Sequence, residues 1–437
     1  MRLRTLVAMM VAAGLNGPVL ADDLWGIYQS AVKADPVLLQ AAAEKERAME
    51  AVSGTRAPLL PQINLAADYT RVYSSEDVRE SKGPSVGINL VQSIYDRSNW
   101  VTLSQSEKSA HFADLGYNLA LQDLMVRTTS AYFEVLKAYD DVEFAVAEKA
   151  AIARQLEQTK QRFEVGLSAI TDVHEAQAEY DLSVANEITL RNALESAYQG
   201  LRQITGQDHR TLNVLDTNRF APAIPAPTRA TDWYKLAEES SLALARAKVQ
   251  TDIAKEQIDL AQTGHYPTLD LVAGTKYSDI DAQMTDTDAT DTSIGLQLNV
   301  PIYSGGGTSS AVKQAQHQYV AASEVLNETQ RSVYRNTLDS FNTLSAATSA
   351  IRAYEQTVVS RQSALDATTA GFEVGTRTIV DVLNSTRALY DAKRNLSGAR
   401  YAFVVAVFRL KLAAGTLTEN DLVDVNKALM PLPTSAS

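Results

Sequence analysis

The sequence predicts a mostly α-helical α+β fold with an internal two-fold structural repeat. The prediction rests on a duplicated sequence, two pairs of segments in which apolar and polar residues alternate, and two long segments without proline. Phe163-Glu-Val-Gly166 recurs as Phe372-Glu-Val-Gly375, and at the same offset Ile170-Thr-Asp-Val173 recurs as Ile379-Val-Asp-Val382. A duplicated unit of about half the chain predicts two similar structural halves.

The repeat leaves a short segment at the start of the chain that belongs to neither half. Residues 1–21 begin with Arg2 and Arg4, continue in a short apolar run and end at Ala21, a pattern typical of a secretory signal peptide. An uncleaved anchor is the alternative, but the apolar run is shorter than the ~20 residues that span a bilayer. The predicted divisions are a signal peptide at 1–21, a first repeat at 22–206, a linker at 207–231, a second repeat at 232–415, and a C-terminal equatorial segment with a flexible tail at 416–437.

Each half begins with a predicted helical segment, at about 24–54 and about 232–262. Alanines and leucines recur there at the three- and four-residue spacing of an amphipathic helix. The linker contains three prolines, and the tail after Asp424 ends in prolines and small polar residues, which predicts disorder.

A pair of β-strands follows in each half. The predicted strands lie at about 61–73 and 85–95 in the first half, and at about 267–277 and 293–303 in the second. Their alternation with a period of two indicates one apolar and one polar face. Each is near the length of about 9–11 residues that a tilted strand needs to cross a bilayer.

Polar segments separate the two strands of each pair and are predicted to be loops, at Ser74–Gly83 and Ser278–Thr292. The second contains five aspartates and no basic residue: Asp279, Asp281, Asp286, Asp288 and Asp291. A bound calcium ion and a solvated outer loop both fit this composition.

Two long helices are predicted from about 99 to 163 and from about 308 to 372. Both segments lack proline and are rich in Ala, Leu, Gln, Glu and Lys, which are good helix formers. About 65 residues at 1.5 Å per residue give a helix on the order of 100 Å. Such a length predicts coiled-coil or bundle packing.

Glycines mark the ends of these long helices. Gly166 and Gly375 follow the last predicted turns, where glycine commonly ends a helix. The chain then continues in shorter predicted helices that end at Gly206 and Gly415. Each half therefore contains an antiparallel helical hairpin with its turn at one tip.

Composition excludes several classes of function. The chain has no cysteine, which excludes disulfides, thiolate metal sites and a lipid-modified N-terminal cysteine. A net charge of −12 disfavours nucleic-acid binding, which needs clustered Lys and Arg. The five histidines include no pair at metal-ligand spacing. The sequence therefore predicts no enzyme, no metal site and no cofactor.

Four amphipathic strands cannot form a closed transmembrane barrel on their own. Open sheet edges in lipid would leave backbone N–H and C=O groups unpaired, at several kcal/mol each. Two copies would give eight strands and a plugged barrel, and three would give twelve strands and a narrow lumen. The alternative is a soluble sheet with one wet face, although no other strands are predicted to form a second sheet.

Several motifs resemble those of the outer-membrane efflux proteins, the outer membrane factor family. They are the duplicated Phe-x-Val-Gly turns, the run from Gly375 to Leu383, and the junction Val300-Pro-Ile-Tyr-Ser-Gly-Gly-Gly307. The resemblance extends from about 22 to 428, and the order, spacing and duplication of the motifs agree.

The resemblance implies a homotrimer in the lipid of the cell outer membrane. Each protomer would give four strands to one twelve-stranded barrel, continuous with a long periplasmic α-helical barrel. This channel-tunnel would dock to a periplasmic adaptor (membrane fusion) protein and an inner-membrane pump of RND, MFS or ABC type. It would be a passive exit duct for drugs or, with other partners, for proteins of type I secretion.

The resemblance also implies a periplasmic gate at the helix tips. The positions that match the family's gate are Thr171, Asp172, Phe372, Arg377, Asp381 and Asn384. By this resemblance Arg377 links to Thr171 and Asp172, and Asp381 lines the narrowest ring. The turns at Gly166 and Gly375 would dock the adaptor.

Two gate positions depart from the family pattern. The pattern has a tyrosine at Phe372, whose hydroxyl bonds the gate aspartate, and a second aspartate ring at Asn384. Both the closed-state lock and the cation selectivity would be weaker as a result. A local role is also open: Thr378 and Asp381 fit a capping box, and Asp172 suits the positive end of its own helix dipole.

A structural coiled-coil protein, such as a periplasmic adaptor, is the competing hypothesis. Adaptors also contain long helical hairpins, but they place the hairpin between small β-domains. Two strand pairs of membrane-crossing length favour the duct.

Overall fold

The computed structural model describes residues 22–74, 79–217, 219–282 and 285–431. The predicted signal peptide at 1–21 and the end of the tail, 432–437, lie outside the described residues. The predicted fold class is confirmed: the chain is mostly helical with a small β-sheet. The helices are α1 Leu24–Ala34, α2 Pro36–Arg56, α3 Arg97–Glu164, α4 Ile170–Thr205, α5 Ala230–Ser240, α6 Leu242–Gln262, α7 Gly307–Glu373, α8 Ile379–Ala413 and α9 Glu419–Asn426. The strands are β1 Gln62–Ser74, β2 Arg79–Tyr95, β3 Val214–Leu215, β4 Thr268–Ala282, β5 Thr285–Asn299 and β6 Leu429–Met430.

The predicted first helical segment of each half is broken into two helices. In the first half Asp35 is extended, and its carboxylate accepts a hydrogen bond from the Leu38 backbone N–H at 2.8 Å. Pro36 forces this break, because a residue before proline is disfavoured in the α region. Ser241 caps α6 at the corresponding break in the second half. Both predicted segments are thus helical, and each contains one break that the apolar spacing did not locate.

The two long helices dominate the molecule. Helix α3 has 68 residues and α7 has 67, so each is on the order of 100 Å long. They pair with α4 and α8 in antiparallel hairpins, and α3 also packs against α2, α6 and α8. No helix in the described ranges combines the length and hydropathy that a bilayer-spanning helix needs.

A four-stranded antiparallel sheet joins the two halves. Its order is β1-β2-β4-β5, so β2 of the first half pairs with β4 of the second. Strands β1 and β5 form the outer edges of the sheet. The starts of β1 and β4 and the ends of β2 and β5 lie at the same end of the sheet. At that end the chain connects the strands to α2, α3, α6 and α7, so the sheet continues directly into the helical body.

The segments predicted as polar loops are largely strand. Strand β2 already begins at Arg79, and β4 and β5 continue through the acidic segment, where the backbone of Asp279 lies opposite Asp288. Pairing there depends on backbone hydrogen bonds rather than on apolar alternation. Only residues 75–78 and 283–284 of these two turns lie outside the described residues. Within the described ranges, no group of three or more His, Asp or Glu residues is arranged to hold a metal ion.

The linker and the start of the tail are fixed by pairing with each other. Strand β3 in the linker pairs with β6 in the tail, with Leu215 opposite Leu429. Both leucines are buried in the main core. The prediction of disorder after Asp424 was therefore wrong as far as residue 431, because these apolar side chains insert into the core.

The main core surrounds the middle of α3 and the C-terminal part of α8. Its largest fully buried side chains include Tyr28, Tyr132, Phe133 and Phe408. Burying a side chain of this size contributes about 1.5–3 kcal/mol. This core, which also takes in α1, α5 and α9, anchors both hairpins at a distance from their tips.

Candidate functional site

The first helix tip is a tight turn between α3 and α4. Gly166 has a φ of 75°, a conformation that glycine adopts without strain. The Leu167 N–H donates to the Arg162 carbonyl at 2.7 Å, which satisfies one of the last carbonyls of α3.

The second tip repeats this geometry between α7 and α8. Gly375 has a φ of 80°, and the Thr376 N–H donates to the Gly371 carbonyl at 2.8 Å. Gly371 also lets the side chain of Arg377 fold against the end of α7. A Cβ at position 371 would lie 2.8 Å from the Arg377 Cγ.

Asp381 is held by Thr378 at the start of α8. Its carboxylate accepts hydrogen bonds from the Thr378 N–H and hydroxyl, both at 3.0 Å. The Asp381 N–H in turn donates to the Thr378 hydroxyl at 3.3 Å. The predicted capping box is therefore present. The backbone N–H of Thr378, then its hydroxyl and finally the charge of Arg377 lower the pKa of Asp381.

Asp172 is held within the first tip. Its carboxylate accepts hydrogen bonds from the Ser168 hydroxyl at 2.6 Å and from the Ala169 N–H at 3.2 Å. Ser168 occupies the repeat position that corresponds to Arg377. The two tips therefore position equivalent carboxylates with different donors.

The predicted gate residues differ in exposure. Thr171, Arg377 and Asn384 are exposed, Asp172 and Asp381 are half-buried, and Phe372 is buried. Among the contacts of the described residues within one chain, no ion pair or hydrogen bond joins Arg377 to Thr171 or Asp172. Their predicted link stays a prediction.

Polar contacts join α8 to the first hairpin above the tips. Arg394 pairs with Glu148 of α3 at 2.9 Å, and Arg387 pairs with Glu179 of α4. A cavity of about 470 Å³ lies beside these four residues. One heptad beyond Arg394, the Tyr401 hydroxyl donates to Asp140 at 2.7 Å.

None of these contacts was predicted from the sequence, although a signal for them was present. Arg387, Arg394 and Tyr401 are spaced one heptad apart, as expected for a seam between packed helices. Burial raises the pKa of Asp140, and hydrogen bonds from Ser397 and Tyr401 partly offset the rise. The seam is thus polar in the region between the helix tips and the apolar main core.

The four-stranded sheet exposes a band of large apolar side chains. Ile63 and Leu65 of β1 and Ile294, Leu296 and Leu298 of β5 are each more than 60% exposed in the single chain. A contiguous apolar surface of this kind marks a protein or membrane interface.

The model of the family described as outer membrane efflux protein matches residues 27–207 and 233–416. The chain belongs to this family. The two matched ranges coincide closely with the two halves of the repeat. As an outer membrane efflux protein, the chain is an outer-membrane component with a large periplasmic helical part.

Individual relatives agree with the family match. The chain is 48% identical to the outer membrane protein TolC of Vibrio cholerae serotype O1, over 98% of this chain and 99% of the relative. It is 29% identical to the alkaline protease secretion protein AprF of Pseudomonas aeruginosa, over 97% and 91%. The solved structure of the channel CusC has a TM-score of 0.80 at 14% identity, covering 93% of this chain and 95% of that one.

These likenesses decide between an outer-membrane duct and a periplasmic adaptor. The efflux protein is an outer-membrane exit duct for efflux and secretion, not a periplasmic adaptor. Its family and structural neighbours are channel proteins. Outer membrane factors of this kind work in tripartite pumps with adaptors and inner-membrane transporters.

Proposed function

We propose that three copies of the chain close a single twelve-stranded barrel in the outer membrane. Within one chain β1 and β5 are the sheet edges, and each is long enough to pair with the opposite edge of a neighbouring copy. Closure would satisfy their backbone groups in lipid and turn the exposed apolar band toward the acyl chains. Four strands from each of three copies leave a lumen, whereas two copies would leave the barrel filled by side chains.

The helical hairpins of the three copies would continue this barrel as a periplasmic tunnel that is gated at the tips. Three copies of Asp381 around one axis repel each other, so closure needs compensating bonds. Because Arg377 does not reach Thr171 or Asp172 within one chain, we assign that link to neighbouring chains. An exposed pair contributes only about 0.2–1 kcal/mol, which makes the gate easy for a partner to open.

The efflux protein would act with partners rather than by chemistry of its own. A periplasmic adaptor protein would dock on the turns at Gly166 and Gly375, and an inner-membrane pump of RND, MFS or ABC type would supply energy. The chain would be a passive duct without enzymatic activity or cofactor, and it would not bind nucleic acid. The likeness to AprF supports a role in protein secretion beside efflux.

The observation that carries this proposal is an open-edged amphipathic sheet continuous with two helical hairpins on the order of 100 Å long. Purified protein in planar lipid bilayers tests it. We expect discrete ion-conducting channels from a heat-modifiable trimer, and weaker cation selectivity for Asp381→Ala. A soluble product that forms no channels would contradict the proposal.

A further inference from the structure

The two copies of the repeated phenylalanine lie in different environments. Phe372 is 7% exposed, whereas Phe163, at the corresponding position of the first half, is 41% exposed. The repeat alone would place both at the ends of long helices in the same way. The second copy therefore has a packing role at the tip that the first lacks.

Phe372 belongs to an apolar cluster that joins the two hairpins of one chain. The first hairpin contributes Ile152, Leu156 and Ala176, and the second contributes Phe372, Ile379, Val382 and Leu383. This cluster is separate from the main core. Parting the hairpins at the tip would expose these side chains to water.

Arg162 lies in the last turn of α3 and contacts this cluster at Phe372. Its guanidinium carbon lies 4.9 Å from the centre of the Phe372 ring. Its Nε is buried and has no hydrogen-bond partner among the described residues. At this distance the face of an aromatic ring attracts a cation electrostatically.

Asp172 does not provide a competing link between the hairpins. Its carboxylate is bonded to Ser168 and Ala169 of its own turn, and Phe372 has no hydroxyl to offer it. Among the described residues, the Arg162 guanidinium on the Phe372 ring is a charged contact that crosses between the hairpins close to their turns.

We propose that Arg162 and Phe372 are positioning residues that hold the two hairpins of each chain together in the closed gate. The inference rests on the proposed gate at the helix tips. Opening would separate the guanidinium from the ring and hydrate both. The contact thus adds a lock within each chain to the proposed Arg377 link between chains.

Single-channel recordings of the purified full-length trimer test this lock through a double-mutant cycle. Arg162→Met keeps the apolar stem without the charge, and Phe372→Leu keeps an apolar side chain without the ring. We expect each to raise the open fraction by roughly two- to thirty-fold for every chain whose hairpins part, the range that one cation–π contact spans. The double variant should add little to either single change, and Arg162→Lys should lie between Arg162→Met and the parent.

Phe163→Leu is the matched control, because it removes the same ring from the exposed position of the other half. If the fold-changes in open fraction of Arg162→Met and Phe372→Leu multiply in the double variant, the two side chains are not coupled and the proposal is overturned. Unchanged opening in both, together with increased conductance on neutralising Arg377 and Asp172, would overturn the lock and leave the gate standing. If the parent protein formed no channels at all, the proposed function itself would be overturned.

Discussion

At the scale of single residues, the two tips show how a duplicated turn diverges. Asp172 and Asp381 occupy equivalent positions, but one is bonded by Ser168 and the other by Thr378. Ser168 corresponds to Arg377 in the repeat, so the first tip has a hydroxyl where the second has a guanidinium. The sequence allows this comparison because both turns match without a gap.

We predict that Thr378→Val makes ion selectivity more sensitive to acid. The Thr378 hydroxyl bonds the ionised carboxylate and lowers the pKa of Asp381, so its loss should raise that pKa. In the parent, the carboxylate ring should stay charged below about pH 4, the usual range for aspartate, and lose its charge as pH falls through the lowered pKa.

Reversal potentials across a salt gradient at a series of pH values measure this shift. Cation selectivity should disappear at a higher pH in Thr378→Val than in the parent. Asp381→Asn, which has no charge to lose, should show no transition in this range. An identical pH profile for Thr378→Val and the parent would exclude the Thr378 hydroxyl as a cause of the lowered pKa.

Residue-level burial was less predictable than hydrogen bonding. The capping box at Thr378 follows from local sequence, because both partners lie in one turn. The burial of Phe372 depends on Ile152 and Leu156, which are more than two hundred residues away in the chain. A turn motif contains no information on such long-range packing, so both phenylalanines looked equivalent in the sequence.

At the scale of elements, local signals located the long helices and the turns but misplaced other boundaries. The helix break at Pro36 follows from proline geometry, which the apolar periodicity concealed. The polar ends of β4 and β5 were not predicted as strand, because their sequence lacks apolar alternation and their pairing rests on the backbone. Strands β3 and β6 are too short for any periodicity, and only their packing on the main core fixes them.

We predict that Gly415→Ala destabilises the chain far more than Gly206→Ala. Gly415 follows the end of α8 and Gly206 follows the end of α4, and both have a left-handed φ, of 70° and 69° respectively. A Cβ at 415 would lie 2.3 Å from the Ser240 carbonyl oxygen, whereas one at 206 would lie 3.6 Å from the Ala34 Cβ. Gly206→Ala should cost about 1–2 kcal/mol from backbone strain alone.

Thermal unfolding of the detergent-solubilised protein gives the comparison. The midpoint should fall moderately for Gly206→Ala and much further for Gly415→Ala, because the collision at 415 involves backbone that cannot rotate away. Equal losses for the two variants would show that only the positive φ matters at these positions.

At the scale of the whole molecule, the repeat determines the architecture of one chain, and the exposed surfaces of that chain determine how copies assemble. Two halves joined through β2 and β4 form one open sheet with free edges and an exposed apolar band. The sequence predicted the strands and the need for several copies. It could not give the number of copies, because barrel closure depends on strand tilt and stagger that a single chain does not encode locally.

We predict that the apolar face of β5 is buried in lipid. Leu296→Arg should reduce the yield of outer-membrane trimers, since a charge facing the bilayer midplane costs about 2–4 kcal/mol. Gln297→Arg, at the neighbouring position on the opposite face, is the matched control. Quantitative immunoblots of unheated outer-membrane fractions measure both. Equal trimer yields would mean that this face does not contact lipid.

The gate at the helix tips is the central claim, and the single-channel conductance of the variant Arg377→Gln with Asp172→Asn tests it most directly. The control variant Arg361→Gln with Asp181→Asn removes the same charges from α7 and α4. We predict that the tip variant conducts substantially more than the parent in planar bilayers, while the control variant does not. A conductance equal to that of the parent in both variants would contradict a gate at the tips.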